Sequence, residues 1–211
     1  MAKRITGAHN QSRVTLAAAV TAQVGDLIGY SAGWVLADAN ARIPARYIAC
    51  TAGVASDIRV AESGILYDDA STAPYTAGDL QYLSATAGAH TATIPAVSTT
   101  LTILQPIGHA LTTRRMSFDL ARRTALRLRA NAAVDPASGG TDTVQNLAVT
   151  VTGVLATDYA RLASAPTVVQ GVIYNGSVVC TADTVTVGIA NASAGTVDGA
   201  STTVEFLVER D

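Results

Sequence analysis

Charge is scarce in this 211-residue chain: 14% of the residues are Asp, Glu, Lys or Arg, well under the usual quarter. Fourteen Lys and Arg face sixteen Asp and Glu, for a net charge of −2, which excludes a global electrostatic pull toward nucleic acid. Cysteine is almost absent. Cys50 and Cys180 stand far apart, each in an apolar run. They read as two free buried thiols rather than a disulfide, and no Cys-x-x-Cys pair is present for zinc. No window approaches the roughly 18 uninterrupted apolar residues of a membrane-spanning helix. The opening MAKRITGAHNQSR is polar and lacks the apolar core of a secretion signal. The expectation is a soluble protein made in a cytoplasm, with no membrane partner. The three Asn-x-Ser triplets, at Asn10, Asn175 and Asn191, then read as coincidences rather than glycosylation sites.

Chemistry-bearing motifs are missing in the same way. No Gly-rich loop ends in Lys-Ser or Lys-Thr, and no Gly-x-Gly-x-x-Gly follows a strand-like run, so no nucleotide cofactor is implied. His9, His90 and His109 are too scattered for a metal site argued from spacing. Asp68 and Asp69, with Glu62 upstream, lack the alternating pattern of a calcium loop and read as turn carboxylates. Gly29-Tyr30-Ser31-Ala32-Gly33 matches the Gly-x-Ser-x-Gly elbow of hydrolases. That motif needs a helix after the serine, whereas Trp34-Val35-Leu36 reads as strand, and Trp34 as core. The expectation is no enzyme, no cofactor and no metal.

What fills the space is Ala, Thr, Val, Gly and Ser, which suit thin, tightly packed sheets. Short β-type runs alternate with turn signals from Val14 onward, through Leu27–Tyr30, Trp34–Leu36, Tyr47–Cys50, Ile58–Ala61 and Ile65–Tyr67. One echo stands out. Gly25-Asp26-Leu27 and Gly78-Asp79-Leu80 are each followed, three residues on, by Ser-Ala, as if one turn and one strand were used twice. Later strands are expected at Leu126–Arg129, Leu147–Val154, Thr184–Val187 and Thr202–Val208. Between Val172-Ile173-Tyr174 and Val178-Val179 lies Asn175-Gly176, the residue pair favoured by a tight hairpin turn. That pair predicts a hairpin tip.

Six of the chain's fourteen Lys and Arg fall between residues 112 and 130. Residues 112–124 read as an Arg-rich connector, in part helical around Phe118–Arg123. It joins an N-terminal β domain over 14–111 to a C-terminal domain over 125–211. Residues 1–13 read as an extended basic arm. Arg suits carboxylate forks better than Lys does, so the candidate contacts to an acidic partner are Lys3, Arg4, Arg13, Arg114, Arg115, Arg122 and Arg123. No aromatic residues interleave with these cations, which disfavours single-stranded nucleic acid.

The stretches Asp142–Gly153, Gln170–Ile173, Asp183–Asn191 and Val197-Asp198 together resemble a module of tailed-bacteriophage head proteins. The Gly-Asp-Leu turns and the ending Gln105-Pro106-Ile107-Gly108-His109-Ala110 resemble the capsid decoration proteins of those phages, also called cement or head-fibre proteins. The Arg-rich connector matches no part of that pattern. The fold expected is all-β: a small N-terminal β-barrel or β-tulip-like domain, then a jelly-roll-like antiparallel β-sandwich. The resemblance implies a structural protein on the outside of a phage capsid, a trimer whose partner is the major capsid protein and which stabilises the shell. The alternative is a trimeric tail or host-recognition module that binds a bacterial surface glycan.

Overall fold

A computed structural model of the chain describes residues 3–69, 74–120, 126–140, 143–163, 172–197 and 201–210, with the backbone alone described at 126 and 172–177. The protein is all-β, and no helix occurs among the described residues. None of these is therefore a helix long and apolar enough to cross a membrane. In chain order the strands are β1 (Arg4–His9), β2 (Ser12–Thr15), β3 (Thr21–Ala22), β4 (Leu27–Tyr30), β5 (Trp34–Leu36), β6 (Tyr47–Ala49) and β7 (Gly53–Val54). Next come β8 (Asp57–Ala61), β9 (Ser63–Tyr67), β10 (Leu80–Leu83), β11 (His90–Thr91), β12 (Thr102–Ile103), β13 (Pro106–Thr112) and β14 (Arg115–Asp119). The last are β15 (Leu126–Val134), β16 (Val144–Thr150), β17 (Tyr159–Leu162), β18 (Val172–Thr181), β19 (Thr184–Asn191) and β20 (Thr202–Arg210).

The chain divides into two compact units. The first comprises residues 1–95 and 103–126, the second 96–102 and 127–211. The segment 96–102 belongs with the second unit because its backbone is bonded there: Asn131 N donates to Ser98 O at 2.7 Å and Leu101 N to Thr152 O at 3.1 Å.

The first unit holds a six-stranded antiparallel sheet in the order β1-β9-β14-β13-β10-β11, a five-stranded sheet β2-β8-β6-β4-β5, and the small pair β3-β7. None of the sheets closes into a barrel among the described residues. The six-stranded sheet ends instead at β1 and at the two-residue β11. Its inner face carries Leu66, Met116, Phe118, Ile107 and Leu83, all essentially inaccessible. The five-stranded sheet and its surroundings close over Val14, Leu16, Ile28, Ala49, Ile58 and Val60. At Gly108, β13 lies tight against β14. A Cβ there would stand 1.9 Å from the Ser117 carbonyl oxygen, so only glycine fits.

The repeated Gly-Asp-Leu is one turn used twice. Gly25 has φ +92° and Gly78 has φ +91°. Asp26 N donates to Gln23 O and Asp79 N to Thr76 O, both at 3.1 Å. Each is a four-residue turn with glycine at the third place, where φ must be positive. The two turns start β4 and β10, which lie in different sheets.

Residues 4–15 are not a free arm, since β1 pairs with β9 and β2 with β8. The described part of the expected connector, 112–120, is also mostly sheet. β13 and β14 form a hairpin over 106–119 in the middle of the six-stranded sheet, so Phe118 is in a strand and not a helix. Phe118 is buried and Asp119 exposed, the alternation of a half-buried strand.

The second unit has a four-stranded sheet β12-β15-β20-β17 and a three-stranded sheet β16-β19-β18. Leu128, Ala130, Ala132 and Val134 of β15 are buried at period two, as are Val204, Phe206 and Val208 of β20. The Asn175-Gly176 pair does not make a turn. β18 runs straight through it, and the register shifts there: Asn175 faces Gly188 while Val178 faces Val187. The hairpin tip lies at Ala182-Asp183, between the paired Thr181 and Thr184.

Candidate functional site

Four of the seven basic residues marked in the sequence meet at one end of the six-stranded sheet. Arg4 on β1 stands directly opposite Tyr67 on β9, and Tyr67 directly opposite Arg115 on β14. Residues paired across a ladder share a face, so the three form a row. Both guanidinium carbons lie over the Tyr67 ring, 4.9 Å from its centre for Arg4 and 4.8 Å for Arg115. Each such contact contributes about 0.5–1 kcal/mol at an exposed site. Lys3 precedes the row, with its Nζ 3.9 Å from Asp68 Oδ2. Arg114 is in the turn before β14. Its carbonyl accepts from Asp68 N at 3.0 Å, which ties the end of β9 to that turn.

Asp69 Oδ2 is 4.0 Å from Arg4 Nη2, but the Arg4 side chain is 64% exposed, so the pair contributes under about 1 kcal/mol. Lys3, Arg4, Arg114 and Arg115 against Asp68 and Asp69 leave an excess of two positive charges. The two carboxylates thus face cations at this end of the sheet. No group of three or more metal-ligating side chains occurs among the described residues.

The other candidates are elsewhere. Arg13 is on β2 opposite Arg59, in the five-stranded sheet. Directly opposed like charges repel, and Arg59 turns its Nη2 to Gln11 Oε1 at 3.0 Å. Arg122 and Arg123 fall outside the described residues. Arg127 and Arg129, on β15, pair with Glu209 and Glu205 of β20.

Of the motifs weighed for catalysis, Gly29–Gly33 is the end of β4 and the bend that leads into β5 at Trp34, with Ser31 N donating to Gly33 O at 2.9 Å. Trp34 is half-buried, and its ring meets those of Tyr30 and Tyr47 at 5.2 and 5.3 Å. His9, His90 and His109 belong to β1, β11 and β13. Both cysteines are free, Cys180 buried and Cys50 half-buried, and burial raises both thiols above their ordinary pKa.

His90 is in a polar cluster of the first unit. Its Nε2 is 3.4 Å from the Tyr75 hydroxyl and its Nδ1 3.3 Å from Gln81 Oε1. The Tyr75 and His90 rings stack at 5.6 Å. Gln81 is 2% exposed, and its Nε2 has no hydrogen-bond partner among the described residues. Burial, then the charge of Lys3, lowers the His90 pKa to about 4, against the opposing pull of Asp68. Burial likewise raises Tyr75.

Tyr67 is the residue that sequence reading missed. Its signal was only positional: it ends the strand-like run Ile65-Leu66-Tyr67, just before Asp68-Asp69. Which residues it would face depends on the register of two other strands. No protein-family model, curated protein or solved structure matches this chain.

Proposed function

We propose that this chain is a structural virion protein that binds the outer surface of a bacteriophage capsid and stabilises the shell, acting as a trimer. The observation that carries the reading is the collection of Lys3, Arg4, Arg114 and Arg115 at one end of one sheet. Cations as far apart in sequence as Lys3 and Arg115 converge on one surface, in a chain poor in charge elsewhere. The resemblance of the Gly-Asp-Leu turns to capsid decoration proteins, and of the Asp183–Asn191 strand to a module of tailed-phage head proteins, points the same way. In this reading the first unit corresponds to the barrel or β-tulip-like domain of such proteins. The two sheets of the second unit pack as a jelly-roll-like sandwich, through the buried faces of β15 and β20 and of β19. The role needs affinity and rigidity and assigns no reacting group, cofactor or metal.

The test adds purified protein to expanded capsids that lack it and follows co-sedimentation, with light scattering for mass. Stoichiometric binding by a trimer is expected. A monomer with no affinity for capsids would sink the proposal. Antibody labelling of whole virions separates head from tail, and a tail label would favour the glycan-binding alternative.

A further inference from the structure

The Arg4–Tyr67–Arg115 row has a geometry that a loose basic patch lacks. Adjacent strands are about 4.8 Å apart, so the two arginine backbones flank Tyr67 at about 10 Å from one another. A guanidinium held over an aromatic ring uses its face for that contact. Its N–H edge points away from the ring, and that edge is the fork that matches a carboxylate in two parallel hydrogen bonds. At Arg4 the edge has Asp69 Oδ2 4.0 Å away, beyond hydrogen-bond range, which an incoming carboxylate would displace. Tyr67 therefore holds both forks in place before any partner arrives, which lowers the ordering cost of binding.

The neighbouring row on the same face narrows the partner. Thr6, Ile65, Ser117, His109 and Leu80 stand opposite one another across β1, β9, β14, β13 and β10. Leu80 is 41% exposed, and the row carries no Lys or Arg. A nucleic-acid backbone would need cations to continue along its path. This surface instead offers cations at one end and small polar and apolar side chains beside them, which suits a polypeptide.

We infer that the Arg4–Tyr67–Arg115 row seats an acidic peptide segment of the partner protein, with its carboxylates taken by the two guanidiniums. This rests on the docking role proposed above and names the chemistry of that contact. Tyr67 is a positioning residue. An extended segment repeats its same-side residues about every 7 Å, so two carboxylates on one side of it come within reach of the two arginines.

The experiment measures binding of the full-length protein to a labelled glutamate-rich peptide by fluorescence anisotropy. A lysine-rich peptide and a single-stranded oligonucleotide serve as comparators. The glutamate peptide is expected to bind, to weaken as salt rises, and to lose about tenfold in affinity in the R4Q/R115Q double variant. Tyr67→Phe keeps the ring face and should stay within about twofold, while Tyr67→Leu should lose several-fold with the arginines still present. Equal affinity in wild type and R4Q/R115Q overturns the inference, as does tighter binding of the oligonucleotide. Circular dichroism of each variant separates lost contact from lost fold. A parallel capsid arm keeps the two readings apart. Capsids bound equally well by R4Q/R115Q would remove the row and leave the docking role. Peptide binding without capsid binding would remove the docking role and leave the row.

Discussion

In the first unit, His90 lies against Tyr75 and Gln81, with Lys3 and Asp68 near enough for their charges to be felt and the Gln81 Nε2 unanswered among the described residues. In the second unit, Asp158 lies against Arg210. Its Oδ1 accepts from Arg210 Nε at 2.7 Å, its Oδ2 from Arg210 Nη2 at 2.6 Å and from Leu155 N at 2.8 Å, and Arg210 Nη2 also donates to Gly153 O. The Asp158 side chain is fully covered. The first cluster is kept neutral by burial; the second is kept charged by a partner for each oxygen. Both units therefore lose stability in acid, for opposite reasons and in different ranges of pH.

The largest effect expected is from breaking the second cluster. Asp158→Ala leaves the Arg210 guanidinium without its carboxylate, at a cost of about 3 kcal/mol. Hydrogen exchange at the β17 and β20 amides should rise accordingly, and that of β9 and β14 should not. Slow exchange at β20 in this variant would mean that the pair contributes little. For the wild-type protein the sign follows from the hydrogen bonds. Arg210 and the Leu155 N–H hold Asp158 below its ordinary value of 3.8 against the opposing effect of burial. That stability is present above about pH 4 and is lost as pH falls through the folded-state value.

The first cluster should yield earlier. His90 titrates at about 4 in the folded protein against an ordinary 6.5. Between those values the unfolded chain takes up a proton that the folded chain refuses, so stability falls as pH drops from about 6.5 to about 4 and then levels off. The loss is about 2 kcal/mol, discounted for partial exposure of the ring. His90→Gln retains hydrogen-bonding capacity without the charge and should flatten this limb. Exchange at β10 and β11 amides across that range is the measurement; an unchanged slope in the variant would assign it to another group.

How much of this could be read from the sequence follows the same division between local and distant causes. The alternation of Leu126-Arg127-Leu128-Arg129 is local and was legible as a half-buried strand, though its continuation to Val134 was not, and the Gly25 and Gly78 turns were legible because Gly-Asp is itself a turn signal. The Arg4–Tyr67–Arg115 row was not, because it exists only through the registers of β1 on β9 and of β9 on β14. The basic residues were legible only as candidate contacts to an acidic partner, and the separation of Lys3, Arg4, Arg114 and Arg115 from Arg13 was not legible. The free arm failed for the same reason, since the partners of β1 and β2 lie some fifty residues away in β9 and β8.

The Asn175-Gly176 pair is the sharpest case, and it gives the smallest expected effect. A local rule places the turn there, yet the tip forms at Ala182-Asp183, where Asp183 has φ +55°. Distant segments supply the reason. Val151 N donates to Asp183 O at 3.0 Å, Gly153 N to Asp183 Oδ1 at 2.6 Å, and Asp183 N to Val154 O at 2.9 Å. These three bonds outweigh the αL strain of a non-glycine residue, about 1 kcal/mol. On β18 the step from Asn175 to Val178 matches a single step on β19 from Gly188 to Val187, so Gly176 and Ser177 are two extra residues in a bulge. Removing two residues keeps the period-two alternation of the strand. Deletion of Gly176 and Ser177 should therefore leave Val178 opposite Val187 and Tyr174 opposite Ile189, at a cost under about 1 kcal/mol. Cross-strand nuclear Overhauser contacts between those pairs are the test. Their loss would show that the Asn-Gly pair shapes this hairpin after all, and that the bonds at Asp183 do not suffice to hold it.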